Sequence, residues 1–228
     1  MKLNINSINK SYKIFKEIVH ANKDISLCLK SKDMVWISGP TGGGKTTLIN
    51  LISGIDIIDS GEIVLDSFVL SSMKEKQRTL FRKYNIGLIF QHFELIPSLT
   101  GFENILLPLK FSSKNSKECK NKVDSLVELF NLENFIKKRP SYMSGGQKQR
   151  IGIARAFVYD PKLIIGDEIT SHLDCVTANF IYSVIKNYIE ENNAIGLFVS
   201  HDSSLEKFAN RFFRIEDGKL FDFRGSYA

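Results

Sequence analysis

The chain has 228 residues, of which 43% are hydrophobic and 25% charged, and a formal net charge of +6. This composition excludes disordered and collagen-like classes, and the length allows a buried core in one domain or two closely joined lobes. No apolar run approaches a bilayer span, residues 1–6 alternate like a strand and not a signal peptide, and the three widely spaced cysteines (Cys28, Cys119, Cys175) fit reduced thiols; a soluble intracellular protein is expected.

Residues 2–38 read as several strands with polar turns. Ile25-Ser26-Leu27-Cys28-Leu29 alternates before a turn at Lys32-Asp33, and residues 34–38 form an apolar, buried strand. That strand feeds Gly39-Pro40-Thr41-Gly42-Gly43-Gly44-Lys45-Thr46-Thr47, which fits the phosphate-loop pattern G-x-x-x-x-G-K-[ST]. Residues 48–52 continue with helical spacing until Ser53-Gly54 stops them. A glycine-rich turn entering a helix N-terminus aims backbone N–H groups and the positive helix end at one spot. Lys45 is then placed to neutralise the β- and γ-phosphates of a nucleoside triphosphate, and the Thr46 hydroxyl to ligate Mg²⁺.

Asp59-Ser60-Gly61 turns into a strand at 62–65, residues 74–84 have helical character, and residues 86–90 are again an apolar strand. From 91 to about 159 the pattern is mostly helical and looks inserted, with Val123, Leu126, Val127, Leu129 and Phe130 as one apolar face stopped by Asn131. Within it, Ser144-Gly145-Gly146-Gln147 is a second glycine-lined helix start, before a helix at 151–159, and so a second anion site by the same physics. One nucleotide does not need two such loops, so a dimer is expected in which each chain's second loop closes over the other's nucleotide.

Residues 161–167 return to a buried strand ending in Asp167-Glu168, followed by a helix at 176–191, a strand at 194–200 and short strands to the end. A carboxylate at the C-terminal end of a strand beside a phosphate loop lies where ligands bind in such sheets. Asp167 would hold Mg²⁺ and Glu168 accept a proton from attacking water. Alternation of strands and helices predicts a parallel α/β sheet. Two stretches are basic: 74–83 with five basic residues and one acid, and 110–139 with eight and four, each net +4. They suit nucleic acid, anionic lipid, an acidic partner or plain solvation.

In order and spacing these motifs resemble those of ATP-binding-cassette (ABC) ATPases over essentially the whole chain. The resemblance makes Gln91 the Q-loop glutamine that reaches Mg²⁺ or the attacking water, residues 144–147 the signature core, residues 171–174 the D-loop, and His201 the switch histidine on the γ-phosphate. Tyr12, 33 residues before Lys45, stands where the family places an aromatic against adenine. Asp174 would lie at the dimer seam, while His20, His92 and His172 have no matching role and read as structural or surface. Met143, Ile169 and His172 depart from the family's usual leucine, proline and alanine, and the last two flank the catalytic carboxylate and the seam.

The implied fold is a RecA-like phosphate-loop core with a parallel sheet, an N-terminal antiparallel β-subdomain and an inserted helical signature subdomain. That is one domain, 1–228, with core at 1–90 and 160–228 and helices at 91–159. The implied function is an ATP-hydrolysing, Mg²⁺-dependent homodimer, peripheral on the cytoplasmic membrane face, driving an integral membrane permease that contacts residues 91–109. Residues 91–109 resemble those of lipoprotein-release, macrolide/peptide-export and cell-division ATPases, with Glu94 where that group often has asparagine. Phe93, Leu95, Ile96 and Leu99 are expected as exposed, partner-facing groups. With a short tail past His201, no regulatory domain of the kind some importers carry is expected. An importer ATPase shares every catalytic motif and is the alternative. A nucleic-acid-associated ATPase is a further one, with only the basic stretches behind it, and no direct nucleic-acid partner is expected.

Overall fold

The computed structural model describes residues 1–112 and 115–223. Two sheets carry it. Strands β1 (Lys2–Ile14), β2 (Glu17–Lys30), β4 (Ser60–Leu65) and β5 (Phe68–Val69) form an antiparallel sheet in the order β2-β1-β4-β5. The second sheet has the order β10-β9-β3-β8-β7-β6, from β3 (Met34–Ser38), β6 (Ile86–Ile89), β7 (Leu163–Asp167), β8 (Ile195–Val199), β9 (Arg211–Glu216) and β10 (Lys219–Asp222). All its pairings are parallel except the terminal β9–β10 hairpin, whose turn residues Asp217 and Gly218 both have positive φ (48° and 78°).

The central strands are apolar on both faces because the sheet divides two cores, and side-chain alternation assigns residues to each. Val35 and Ile37 of β3, Leu163 and Ile165 of β7, and Ile195, Leu197 and Val199 of β8 join the antiparallel sheet and the phosphate-loop helix α1 (Lys45–Ile52). Met34, Trp36, Ile164 and Phe198 point the other way, into a core shared with α4 (Ser116–Leu129), α5 (Gly145–Ala156) and α6 (Cys175–Glu191). α2 (Glu75–Asn85) precedes β6, and α3 (Gly101–Leu106) opens the helical block between β6 and β7.

Boundaries differ from the sequence expectation where a cap decides them. α1 begins at Lys45 behind Gly44 in left-handed backbone, three residues earlier than the apolar spacing suggests. α5 begins at Gly145, not Ile151, because the Ser144 hydroxyl accepts from the Gln147 N–H and the Gln147 Oε1 in turn accepts from the Ser144 N–H. Along α4 and its C-terminal cap, Val123, Leu126 and Phe130 are buried and Val127 packs beside them, but Leu129 is 41% exposed and leaves the apolar face. Asn131 does end that helix, at φ 52°.

Candidate active site

The C-terminal ends of the parallel strands β3, β8, β7 and β6 share one edge, so the segments that follow them meet there. The phosphate loop follows β3, Ser200-His201 follows β8, Asp167-Glu168 closes β7, and Phe90-Gln91 follows β6. Together with the first two strands they line a cavity of about 1100 Å³. Tyr12, Thr41, Gly42, Gly44, Lys45, Thr46, Thr47, Gln91, Asp167, Glu168 and His201 all face it.

The phosphate loop takes its shape from glycine at two close approaches. A Cβ on Gly39 would lie 2.0 Å from the Ile215 carbonyl oxygen, and one on Gly44 2.2 Å from that of Ala21. Their φ values, +144° and +102°, are ones that L side chains rarely adopt. The Lys45 ammonium donates to the Gly39 and Pro40 carbonyls at 2.7 and 2.8 Å, and the Gly43 N–H to Pro40 at 3.1 Å. Burial pushes the Lys45 pKa down while Glu168 and Asp167 oppose the shift.

The Thr46 hydroxyl donates to Asp167 Oδ2 at 2.9 Å, joining residues 121 apart. Among the described residues no three His, Cys, Asp or Glu side chains group as a metal site. A hydroxyl and a carboxylate side by side at a helix N-terminus nonetheless fit Mg²⁺, which takes few protein oxygens and completes its shell with water and phosphate.

Glu168 stands in left-handed backbone at φ 49°. Its Oε1 accepts the His201 N–H at 3.0 Å and its Oε2 the Ser200 hydroxyl at 3.4 Å, with His201 Nε2 3.9 Å from Oε1. Burial raises the Glu168 pKa; the His201 ring and N–H work against this, and Asp167 adds to it. A carboxylate held above its ordinary range is a stronger base. The turn carrying His201 is anchored by Trp36, whose indole N–H donates to the Ser200 carbonyl at 2.8 Å. Behind Glu168, Ile169 is 1% exposed, and a Cβ on Gly166 would come within 2.5 Å of it, so the departure from proline has become core.

The Tyr12 ring borders the cavity while its hydroxyl donates to Asp56 at 2.5 Å and Lys10 lies 5.0 Å over its face. Burial and the Asp56 carboxylate push the phenol up to about 12. Ile18, Val19, His20 and Asp217 also line the cavity, and sequence reasoning missed them. His20, expected as structural or surface, bonds Ser11 through Nδ1 at 2.9 Å and faces this space. No motif marks the β2 wall; for Asp217, the Asp-Gly dipeptide was an available hairpin signal.

The cavity does not bring in Ser144, Gly145, Gly146, Gln147 or Asp174. Ser144 and Gln147 cap α5, and Asp174 caps α6, accepting from the Thr177 N–H at 2.9 Å and hydroxyl at 2.7 Å, which draws its pKa down. Of the expected exposed apolar groups, Ile96 is 39% exposed, whereas Phe93, Leu95 and Leu99 are half-buried and Leu95 packs on the helical core.

A phosphate loop on the strand between β8 and β9, facing an aspartate-glutamate pair and a histidine across one strand edge, defines a phosphate-loop nucleoside triphosphatase. The chain belongs to the ABC transporter family, whose pattern it matches over residues 22–171. It is 33% identical over 222 residues to the uncharacterized ABC transporter ATP-binding protein MJ0796 of Methanocaldococcus jannaschii, covering 96% of this chain and 94% of that one. It is 36% identical over 217 residues to the lipoprotein-releasing system ATP-binding protein LolD of Buchnera aphidicola, covering 95% of each. The solved dimeric, post-hydrolysis structure of MJ0796 with ADP and Pi superposes with a TM-score of 0.91, over 98% of this chain and 100% of that one. The protein is an ABC ATPase: it binds ATP with Mg²⁺ and hydrolyses it.

Proposed function

We propose that two copies of this chain close head to tail on two MgATP and drive an integral membrane partner of the export, lipoprotein-release or mechanotransmission type. The observation that carries the dimer is the separation of the two glycine loops: the loop at Ser144 is absent from the cavity that the loop at Lys45 lines. A second copy is the economical source of that missing wall, and the dimeric MJ0796 structure supports the arrangement.

In this reading the phosphate-loop N–H groups and Lys45 hold the β- and γ-phosphates, while Tyr12 stacks on the base. Thr46, Asp167 and Gln91 would hold the Mg²⁺, which when bound would offset phosphate charge. Glu168 takes the proton of the attacking water, and His201, already bonded to Glu168 through its backbone, faces the γ-phosphate. The partner's Ser144, Gly145, Gly146 and Gln147 cover the phosphates from the other side, and Asp174 lies at the seam. The division into a core (1–90, 160–228) and a helical part (91–159) is the one along which nucleotide-driven motion runs.

Among the described residues no helix is long and apolar enough to cross a membrane, so the membrane work falls to a partner. The site for that partner is residues 91–109, on the cytoplasmic membrane face, and resemblance to LolD supports the release or export class. The importer reading has one observation behind it: the methionine import protein MetN 1 of Staphylococcus epidermidis is 33% identical, although this chain spans 63% of its length.

Ser144→Arg tests the dimer. Hydrolysis should fall at least tenfold while nucleotide binding to the single chain persists; full activity would mean that the second loop completes no site. Mass spectrometry of what co-purifies from gently solubilised membranes tests the partner. A few-span protein is expected, and a many-span permease would favour import.

A further inference from the structure

The proposed mechanism leaves unexplained how Gln91, on one glycine-rich site, keeps step with Ser144, on the other. Helix α5 starts at the Ser144 cap and runs past the segment on either side of Gln91, and it grips that segment's main chain. Gln149, 1% exposed, donates through Nε2 to the Phe90 carbonyl at 3.3 Å. Two turns on, the Arg155 guanidinium forks across two consecutive carbonyls, Nη1 to Glu94 at 2.6 Å and Nη2 to Phe93 at 3.2 Å. Glu94 presents its carbonyl from left-handed backbone at φ 46°, which asparagine adopts more readily than glutamate.

The grip continues to the loop beyond β7. The Phe93 ring stands edge-on to His172, with centroids 5.0 Å apart. Both rings lie against the start of α5: a Cβ on Gly145 would meet His172 Cβ at 3.7 Å and Phe93 Cζ at 3.8 Å. The imidazole is oriented by Ser171, whose hydroxyl is 3.0 Å from its Nδ1. His172, expected as structural or surface, is exposed and makes a structural contact that joins three parts of the molecule at one point.

We infer that Arg155 is a positioning residue that ties the segment after Gln91 to the helix bearing Ser144, and that the Phe93–His172 contact extends the tie to the loop leading to Asp174. Arg155 does not line the active-site cavity and faces carbonyls instead. A guanidinium suits this task because its fixed fork matches two adjacent acceptors at once, which an ammonium cannot do. Movement of Gln91 therefore carries α5 with it. The inference rests on the reading that Gln91 and Ser144 serve two sites of one dimer.

Four variants test it: Arg155→Gln, Arg155→Lys, His172→Ala and His172→Phe. Steady-state hydrolysis, binding of a fluorescent ADP analogue to the single chain, and amide hydrogen exchange over residues 91–99 are measured. Arg155→Gln should lower kcat at least tenfold with analogue affinity within twofold, and exchange over 91–99 should quicken while that over 39–50 does not. Arg155→Lys should fall between, since it satisfies one carbonyl. His172→Ala should lower kcat about threefold, as expected for one ring contact, and His172→Phe, which restores the ring edge, should recover it. Unchanged kcat or unchanged exchange in Arg155→Gln would overturn the tie. If that variant does not fold, the His172 pair decides, and equal kcat in Ala and Phe overturns it. ATP-dependent dimerisation of Glu168→Gln with Arg155 intact is the separate control: its absence sinks the dimer reading, while kcat and exchange still judge the tie.

Discussion

Replacing Glu168 by glutamine removes a charge with almost no change of shape, so its effects can be worked from the contacts. The amide oxygen can keep the His201 N–H that Oε1 accepts at 3.0 Å, and the amide NH₂ can donate to the Ser200 hydroxyl, which now donates to Oε2 at 3.4 Å. The left-handed backbone at φ 49° is equally strained in both forms. Burial raises the pKa of this carboxyl, so the folded chain binds its proton more readily than the unfolded chain. Its ionised form then weakens the fold once the pH passes the unfolded value, and the loss grows until the raised folded value is reached. At pH 8 the glutamine form should melt no lower than the parent, and any advantage should vanish as the pH falls toward the unfolded carboxyl value.

Catalytically the same change removes the proton acceptor. Loss of a general base costs roughly 10²–10⁴ in rate, or about 3–5 kcal/mol of barrier. Phosphate release should fall by that factor with MgATP still bound, and size exclusion should show an ATP-dependent dimer. Release within twofold of the parent, with the melting temperature intact, would refute the assignment. A lost melting transition would make Glu168 structural and refute it equally.

Further outcomes follow from single contacts. Gly44→Ala forces a Cβ to within 2.2 Å of the Ala21 carbonyl, and should destabilise the chain by at least about 2 kcal/mol while abolishing nucleotide binding; parental affinity by fluorescent titration would show that the loop does not form the site. Ile169→Ala empties a side chain that is 1% exposed, and should cost about 2–5 kcal/mol, visible as a lower thermal midpoint; an unchanged midpoint would remove Ile169 from the core. Tyr12→Phe keeps the ring and loses the bond to Asp56, so ATP affinity should hold within about threefold, whereas Tyr12→Ala should weaken it by up to about tenfold. Equal affinities in both would place the base elsewhere.

The sequence alone determined the chemistry and the order of the elements. Residues 39–47 announce a phosphate site because its glycines, lysine and threonine are contiguous, and Asp167-Glu168 is marked by the apolar strand before it. These signals are local, and local steric and helix-end physics reads them directly. Tertiary structure decided what lies between distant residues. Thr46 and Asp167 touch across 121 positions because β3 and β7 flank β8 with their ends aligned. The β2 wall at Ile18, Val19 and His20 reaches the cavity only because β2 runs beside the phosphate loop, with Asn22 donating to the Gly44 carbonyl at 3.2 Å. Nothing local to Arg155, Ile169 or His172 foretells a carbonyl clasp, a core position or a ring contact. Each depends on which surface another element presents, and packing of the two cores on either side of one sheet settles that.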